Sequence, residues 1–294
     1  MTKRSPADSA TTTVGRLVET LAEGFRAHHF AEPVSEAREI IAALYDAPRF
    51  WPIANAEHAV DDATAARAVR AMRMRRAGAP LAYAVGRAAF RGLHLDVDER
   101  VLIPRPETEL LVDLVLAHPA SHPGAVAIDV GTGSGAIAIA LATERRFSRV
   151  YGVDISRDAL AVARRNADAF AATAAPLHFV HGSLLAPLAD QRADVIVSNP
   201  PYIALGEAAE LPPSVRDWEP AVALYSGADG MRATARLVRE ATDILESGGL
   251  LALEVDMRRA SLAAELVGRE NRFADVRVEL DLTGRERFVL ATKR

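Results

Sequence analysis

Apolar residues at helical spacing dominate the first part of the chain. They recur at intervals that place them on one side of an amphipathic helix. The positions are Val14, Leu17, Val18, Leu21 and Phe25. We expect a second helix after Ser35 and a third over about 62–76, which Gly78 ends. Because no strand pattern interrupts this block, we predict that residues 1–78 form a small all-helical domain.

The pattern changes after Pro80. From Ala88 to Ile103 apolar and polar residues alternate, so we predict a hairpin-like linker over residues 79–106. From residue 107 onward, runs of strand type alternate with runs of helix type. The predicted strands lie near 126–130, 150–153, 177–180, 194–197, 250–255, 276–280 and 287–291, and the predicted helices near 107–117, 136–143, 156–170, 231–245 and 260–269.

Strands that alternate with helices form a parallel sheet covered by helices on both faces. For residues 107–294 we therefore predict an α/β fold with a doubly wound, mostly parallel, seven-stranded sheet. The last two strands are joined by the short turn DLTG, which predicts an antiparallel hairpin at the sheet edge. A long loop is expected between the strand near 194–197 and the helix near 231–245.

The composition narrows the class of protein. Half of the 294 residues are hydrophobic and a quarter are charged, as in ordinary globular proteins. The chain has no cysteine, which excludes disulfides, thiolate metal sites and cysteine nucleophiles. A reducing cytoplasm fits this composition, and we expect a cytoplasmic monomer. The first 13 residues lack an apolar core and no apolar run is long enough to span a membrane, so we expect a disordered start and no membrane partner.

Charge and histidine patterns exclude two further kinds of ligand. The formal net charge of −4 argues against a broad nucleic-acid surface, and we expect no stable nucleic-acid partner. The basic run from Arg73 to Arg76 is interpreted as a solvated helix end, with an RNA contact as the alternative. The histidines show no spacing typical of a metal site, so we predict no metal.

A glycine-rich turn, DVGTGSG, follows the strand near 126–130. Gly131, Gly133 and Gly135 let the backbone turn sharply and approach a ligand. Asp129, just before them, would repel a diphosphate but suits a cationic amino group, directly or through water. Asp154 ends the next strand, about 20 residues on, where an acid accepts hydrogen bonds from ribose hydroxyls.

S-adenosylmethionine, a nucleoside with a positively charged appendage, fits both acids. One alternative is a nicotinamide dinucleotide, although its usual spacing is G-x-G-x-x-G and this turn reads G-x-G-x-G. The other alternative is that the two acids only cap their turns.

The tetrapeptide NPPY lies at Asn199–Tyr202, directly after a predicted buried strand. Two prolines cannot donate backbone hydrogen bonds, so the strand must end and turn there. This displays Asn199 at the carboxyl end of a strand, the edge where open α/β sheets bind ligands. Our hypothesis is that the Asn199 side-chain oxygen and the Pro200 carbonyl each accept one N–H of a planar amide. Tyr202 would pack against that flat group, and a plain turn is the alternative.

In this order the motifs resemble the HemK family of release factor glutamine methyltransferases, a branch of the class I S-adenosylmethionine-dependent methyltransferases. The resemblance extends from about Ala79 to the C-terminus, whereas the first 78 residues match only in size and helical character. The similar segments are APLAYAVGRAAFRGL (79–93), VLIPRPETELLVD (101–113), DVGTGSGAIAIALA (129–142), GVDIS (152–156), SNPPYI (198–203), WEPAVALYSGADGM (218–231) and DLTGRERFVLA (281–291).

The resemblance implies a cofactor, a substrate and the residues that bind them. The implied cofactor is S-adenosylmethionine, and the implied substrate is the glutamine of the Gly-Gly-Gln motif in class 1 peptide chain release factors. The implied cofactor-binding residues are Asp129, Gly131, Thr132, Gly133, Gly135, Asp154, Ile155, Ser183, Leu184 and Asn199. Asn199, Pro200 and Tyr202 are implied to be catalytic, and Pro201 joins them in binding the substrate. The helical domain is expected to dock the substrate protein.

Two departures and three alternatives accompany this resemblance. The third strand of the family usually ends in an acid that meets the adenine amine, whereas this chain has Ser183; Asp256 and the residues after it also differ from the family. NPPY occurs as well in enzymes that methylate the amino group of adenine in nucleic acid. A related branch methylates a glutamine of a ribosomal protein, but the segment RPETE (105–109) favours release factors. A cofactor-binding module with a degenerate site is a third possibility.

Overall fold

A computed structural model describes residues 12–144, 147–172 and 175–294. The described residues divide into two compact units, with the boundary between Arg87 and Ala88. The expected disordered start lies outside the described residues except for Thr12 and Thr13. The limits predicted for the helical domain, the linker and the α/β domain stay a prediction.

The first unit is helical. Its helices are α1 (Val14–Arg26), α2 (Pro33–Leu44), α3 (Trp51–Ala54), α4 (Asp62–Arg76) and α5 (Leu81–Val85). The hydroxyl of Thr13 caps α1 by accepting from the Arg16 backbone N–H, and Asp61 caps α4 in the same way through Thr64. The apolar sides of α1 and α2 meet in a buried cluster that includes Phe25 and Ile40. This confirms the helical region preceding the sheet.

The basic run at the end of α4 was predicted to be a solvated helix end, and for Arg75 this prediction is wrong. Both Arg75 and Glu36 are largely buried, and they form a bidentate ion pair with a shortest distance of 2.9 Å. Arg75 also donates to the Ala79 carbonyl at 2.6 Å. Arg75 therefore joins α4 to α2 within this unit.

The second unit contains the strands, although the first of them begins at Arg87, the last residue of the first unit. Its strands are β1 (Arg87–Phe90), β2 (Leu93–Asp96), β3 (Ala125–Val130), β4 (Phe147–Asp154), β5 (Leu177–His181), β6 (Ala193–Ser198), β7 (Leu245–Glu254), β8 (Phe273–Leu280) and β9 (Glu286–Lys293). Its helices are α6 (Pro106–Ala117), α7 (Ala136–Thr143), α8 (Arg157–Asp168), α9 (Pro213–Arg216), α10 (Ala221–Leu224), α11 (Arg232–Ile244) and α12 (Ala260–Arg269). β1 and β2 pair only with each other in the described part of the chain.

Seven strands of the described residues form one sheet in the order β5-β4-β3-β6-β7-β9-β8. The pairs from β5 to β7 are parallel, whereas β9 pairs antiparallel with both β7 and β8. The mostly parallel sheet with an antiparallel hairpin at its edge confirms the predicted fold class. The hairpin places β8 at the edge and inserts β9 beside β7.

Helices cover both faces of this sheet. Alternate residues of β6 face opposite layers: Val195 and Val197 pack in the cluster with α6 and α7, and Ile196 packs in the cluster with α11 and α12. Burial on both faces explains why the central strands are nearly continuous apolar runs.

Several details of the predicted elements were wrong, including the helix α5 within the predicted hairpin-like linker. The strand pattern of the linker ends at Asp96 instead of continuing to Ile103, and β7 begins at Leu245, five residues earlier than expected. The expected long loop contains a 3₁₀ helix at Leu205–Glu210 as well as α9 and α10. These helices have only one or two turns, too short for hydrophobic periodicity to reveal. In the described residues, no helix combines the length and the apolar character that crossing a membrane would require.

Candidate active site

The carboxyl ends of β3, β4, β5 and β6 meet at one edge of the sheet and border a cavity of about 600 Å³. Ligands of open α/β sheets bind at this edge. Of the residues predicted from sequence, the cavity is lined by Gly131, Gly133, Asp154, Ile155, Ser183, Leu184, Asn199 and Pro201. It is not lined by Asp129, Thr132, Gly135, Pro200 or Tyr202.

The bend after β3 is held by backbone hydrogen bonds. The N–H groups of Gly131 and Thr132 both donate to the Val153 carbonyl, at 2.8 and 3.0 Å. Gly131, Gly133 and Gly135 all have positive φ, which glycine adopts without steric cost. A Cβ atom added to Gly131 would meet no atom within 4 Å, so the missing side chain leaves space beside the cavity.

Asp129 lies beneath this bend and is fully buried. Its Oδ2 accepts from the Thr132 hydroxyl at 2.6 Å and from the Ala138 N–H at 3.1 Å. Its Oδ1 is buried without a hydrogen-bond partner among the described residues. Burial raises the pKa of Asp129 to about 7, because a charged carboxylate is poorly solvated there.

Asp154 is held by the two turns beside it. One carboxylate oxygen accepts from the Gly133 N–H at 2.9 Å, and the other accepts from the Ser156 N–H at 2.8 Å. Burial raises the pKa of Asp154, while these hydrogen bonds oppose that shift. The carboxylate therefore has a fixed orientation at the wall of the cavity.

Ser183 follows β5 and contacts a charged pair on α11. Its hydroxyl oxygen accepts from Arg236 Nη1 at 3.2 Å. Arg236 in turn pairs with Glu240 at 2.5 Å, and Glu240 accepts from the Leu185 N–H at 2.9 Å. The position at which the resemblance implies an acid thus has a hydroxyl beside a guanidinium group.

Asn199 lies where β6 ends, next to β3. The Ser198 hydroxyl donates to the Val130 carbonyl at 2.6 Å, which ties the ends of these two strands together. Pro200 is buried and Tyr202 is half-buried. Burial raises the pKa of Tyr202 to about 12, so its phenol stays neutral at physiological pH.

Two residues that the sequence reasoning missed are linked to Asn199 by hydrogen bonds, Thr108 directly and Glu254 through Thr108. Asn199 Nδ2 donates to the Thr108 hydroxyl oxygen at 3.3 Å, and the Thr108 hydroxyl donates to Glu254 Oε2 at 2.7 Å. Thr108 lies in the first turn of α6 and Glu254 ends β7, and both are buried. Thr108 belongs to the RPETE segment, which was the available signal, but the sequence could not show that its hydroxyl meets Asn199.

Arg259, at the start of α12, anchors segments of the chain that follow NPPY in the sequence. The three guanidinium nitrogens of Arg259 donate to the Asp229 carbonyl, to Asp256 Oδ2 and to Glu207 Oε2, at 3.0, 2.8 and 2.7 Å. Glu207 also accepts from the Ala204 N–H at 3.0 Å. The sequence offered no functional interpretation of Asp256, and the structure gives it this structural role.

Two acids, Glu219 and Asp229, stabilise the loop after NPPY. Glu219 is buried and pairs with Arg105 at 2.6 Å. Burial raises the pKa of Glu219, and Arg105 opposes the shift. Asp229 accepts from the Met231 N–H at 2.9 Å. In the described part of the chain, no group of three or more His, Asp or Glu side chains is arranged to hold a metal ion.

Comparisons with known proteins assign this arrangement to a family. The methyltransferase small domain model matches residues 106–211. The release factor glutamine methyltransferase of Rhodopirellula baltica is 34% identical over 286 residues, which cover 96% of each chain. That of Deinococcus radiodurans is 42% identical over 231 residues, covering 78% of this chain and 80% of the relative. A crystal structure of a methyltransferase from Pyrococcus furiosus shares the fold, with a TM-score of 0.52 and 20% identity over 70% of this chain and 90% of that one.

Proposed function

Because this chain belongs to the release factor glutamine methyltransferase family, we propose that it methylates the glutamine of the Gly-Gly-Gln motif in class 1 release factors. The methyl group goes to the side-chain amide nitrogen, and S-adenosylmethionine is the donor. One observation carries this proposal: Asn199 lines the same cavity as Gly131 and Asp154. An amide-orienting side chain and a nucleoside-type site are therefore adjacent.

The residues around the cavity fit S-adenosylmethionine. Asp154 offers a fixed carboxylate to ribose hydroxyls, and Gly131 leaves room for close approach of a ligand to the backbone. Leu184 and Ile155, which is more than half exposed, offer apolar surface for a base. When bound, this cofactor supplies an electrophilic methyl group on a positively charged sulfur.

Asp129 lies beneath the glycine-rich bend and does not line the cavity, so its proposed role in cofactor binding is indirect. Its buried carboxylate fixes the bend through Thr132 and Ala138. The sequence allowed two contacts of Asp129 with a cationic amino group, direct or through water. We propose the contact through water, made when the carboxyl group is ionised.

The substrate amide needs alignment because its nitrogen is a weak nucleophile. Its lone pair is delocalised into the carbonyl. We propose that Asn199 Oδ1 accepts one N–H of the glutamine amide and that the Pro200 carbonyl accepts the other. Holding both N–H groups fixes the nitrogen in position. Proximity and orientation together can lower a barrier by roughly 7–11 kcal/mol, and these two hydrogen bonds would contribute part of that.

Tyr202 and Pro201 complete the proposed substrate site. Tyr202 would pack its ring against the planar amide, and its raised pKa makes it unsuitable as a base near neutral pH. As the new N–C bond forms, the bond between the methyl carbon and the sulfur of the donor would break. The extra proton on the amide nitrogen would then leave to water or to a carbonyl oxygen. The helical unit that precedes the sheet is proposed to dock the release factor.

The decisive experiment supplies three substrate classes side by side. The protein is incubated with methyl-labelled S-adenosylmethionine and a purified class 1 release factor, ribosomal proteins or adenine-containing nucleic acid. We expect label only in the release factor, at the glutamine of Gly-Gly-Gln when mapped by mass spectrometry. A release factor with asparagine in place of that glutamine is the matched control. Label in a ribosomal protein or in nucleic acid alone would overturn the substrate assignment.

A further inference from the structure

Glu254, Thr108 and Asn199 are linked in that order by hydrogen bonds between their side chains, and they come from three separate elements. Asn199 follows β6, Thr108 lies in the first turn of α6, and Glu254 ends β7. Thr108 and Glu254 are 5% and 1% exposed, so water does not substitute for these contacts. We propose that Thr108 and Glu254 are positioning residues that hold the Asn199 amide with its oxygen toward the substrate. This inference depends on the proposed function of Asn199.

Hydrogen-bond chemistry sets the direction of this chain. An ionised carboxylate only accepts hydrogen bonds, so the Thr108 hydroxyl must donate its hydrogen bond to Glu254. The Thr108 oxygen then has lone pairs but no proton left to donate. It must therefore face a donor, and the donor of Asn199 is Nδ2. Asn199 Oδ1 is left to accept from another molecule, and it has no hydrogen-bond partner among the described residues.

The reversed amide would be disfavoured for the same reason. Turning Asn199 by 180° would place Oδ1 against the Thr108 oxygen, so that two acceptors face each other. It would also present an N–H donor to a substrate amide whose N–H groups need acceptors. The order of Glu254, Thr108 and Asn199 thus selects the orientation that the reaction requires.

The charge of Glu254 makes this arrangement sensitive to pH. Burial raises its pKa to about 7, while the Thr108 hydrogen bond, Arg287 and Arg105 oppose the shift and Glu107 adds to it. Besides burial, the charge of Glu254 also helps to raise the pKa of Tyr202, which stays neutral over this range. Once protonated, Glu254 can donate to the Thr108 oxygen, and the Thr108 proton is freed. Both orientations of Asn199 are then satisfied, and the selection is lost.

The first test compares two substitutions of Thr108. Thr108→Val keeps the shape but removes the hydroxyl, whereas Thr108→Ser keeps the hydroxyl. We expect kcat to fall about tenfold or more in Thr108→Val, since one orienting hydrogen bond is lost, and to be largely retained in Thr108→Ser. Cofactor affinity, measured by calorimetry, should be unchanged in both. Equal loss in the two variants, or full activity of Thr108→Val, would contradict the proposal.

The pH profile of kcat tests Glu254. The wild-type protein should lose activity as the pH falls through about 7, because Glu254 becomes protonated. Glu254→Gln cannot ionise, so this acidic limb should disappear and kcat should be low throughout. The profile is measured at saturating S-adenosylmethionine, because burial also raises the pKa of Asp129 to about 7 and that group lies beneath the cofactor bend. An unchanged acidic limb of kcat in Glu254→Gln under these conditions would overturn the role of Glu254.

Nuclear magnetic resonance provides a readout that needs no substrate. The chain has four asparagines, so selective ¹⁵N labelling of asparagine gives few side-chain amide signals. The Asn199 pair, identified by its absence in Asn199→Ala, should titrate with Glu254 in the wild type and not in Thr108→Val or Glu254→Gln. Asn55, which donates to the Trp51 carbonyl, is an internal control. If the wild type fails to methylate release factors but this titration is seen, only the proposed function is wrong.

Discussion

Two segments lie at the same edge of one sheet: residues 131–135, here called the glycine bend, and residues 199–202, here called the asparagine corner. They are held in place in different ways. The bend is fixed by backbone groups and by Asp154, which lies 21 positions from Gly133 in the sequence. The corner is fixed by side chains: Thr108 is 91 positions from Asn199, and Glu254 is 146 positions from Thr108. Local motifs therefore describe the bend, whereas the corner depends on how distant elements pack.

This difference separates binding from turnover. Substitutions at the bend should weaken the cofactor complex and leave the reaction within the complex intact. Substitutions at the corner should slow the reaction and leave cofactor affinity intact. Each prediction below tests whether that separation holds.

The largest effect is expected at the corner itself. Asn199→Ala should lower turnover by roughly 10²–10³-fold, as the loss of an orienting polar group does elsewhere. Cofactor binding, measured by calorimetry, should stay nearly unchanged. A mutant that methylates normally would show that Asn199 does not orient the substrate, and one that loses the cofactor would remove the distinction between the two regions.

The bend should show the opposite pattern. Asp154→Ala should weaken cofactor binding about tenfold to a hundredfold, the effect of losing hydrogen bonds to a charged group. Turnover at saturating cofactor should change little. Asp158→Ala is the matched control, because this exposed acid lies four positions away and outside the cavity. Equal effects of the two substitutions would contradict a ribose contact at Asp154.

A substitution at Gly230 should disturb the packing around Tyr202, in the NPPY segment. A Cβ atom at Gly230 would lie 2.2 Å from the Tyr202 carbonyl oxygen, and Gly230 has φ +79°. Gly230→Ala should cost about 1–3 kcal/mol of unfolding free energy and reduce turnover more than cofactor affinity. Gly206→Ala is the control, since nothing lies within 4 Å of its added Cβ. Urea unfolding of the two variants checks this, and similar stability would argue against tight packing around Tyr202.

The smallest effect is expected at Ser183, at the edge of the cavity. Its hydroxyl is a neutral group, so Ser183→Ala should weaken cofactor binding only about two- to tenfold. Ser183→Asp should strengthen it, because a carboxylate accepts a charge-assisted hydrogen bond from the amino group of a purine. Calorimetry with both variants checks the direction. Weaker binding by Ser183→Asp would show that the pairing of Arg236 with the new acid dominates.

Sequence patterns were sufficient for most of the fold. The periodicities of 2 and 3.6 predicted α7 and α12 with correct limits, and the alternation of strands and helices predicted the seven-stranded sheet. The patterns did not predict α9 or α10, and they did not show that β2 ends at Asp96. In those segments the backbone follows contacts made by the rest of the chain, such as the pairing of Glu219 with Arg105, more than its own periodicity.

The candidate site divides in the same way. The motifs alone indicated an asparagine at the end of a strand, a glycine bend and an acid after the next strand, because each of these is written within a few neighbouring residues. Only the tertiary structure decided which of them line a common cavity, that Asp129 lies beneath the bend, and that Thr108 and Glu254 stand behind Asn199. The physical reason is that a backbone turn depends on adjacent residues, whereas a buried side-chain hydrogen bond exists only after distant strands and helices have packed together.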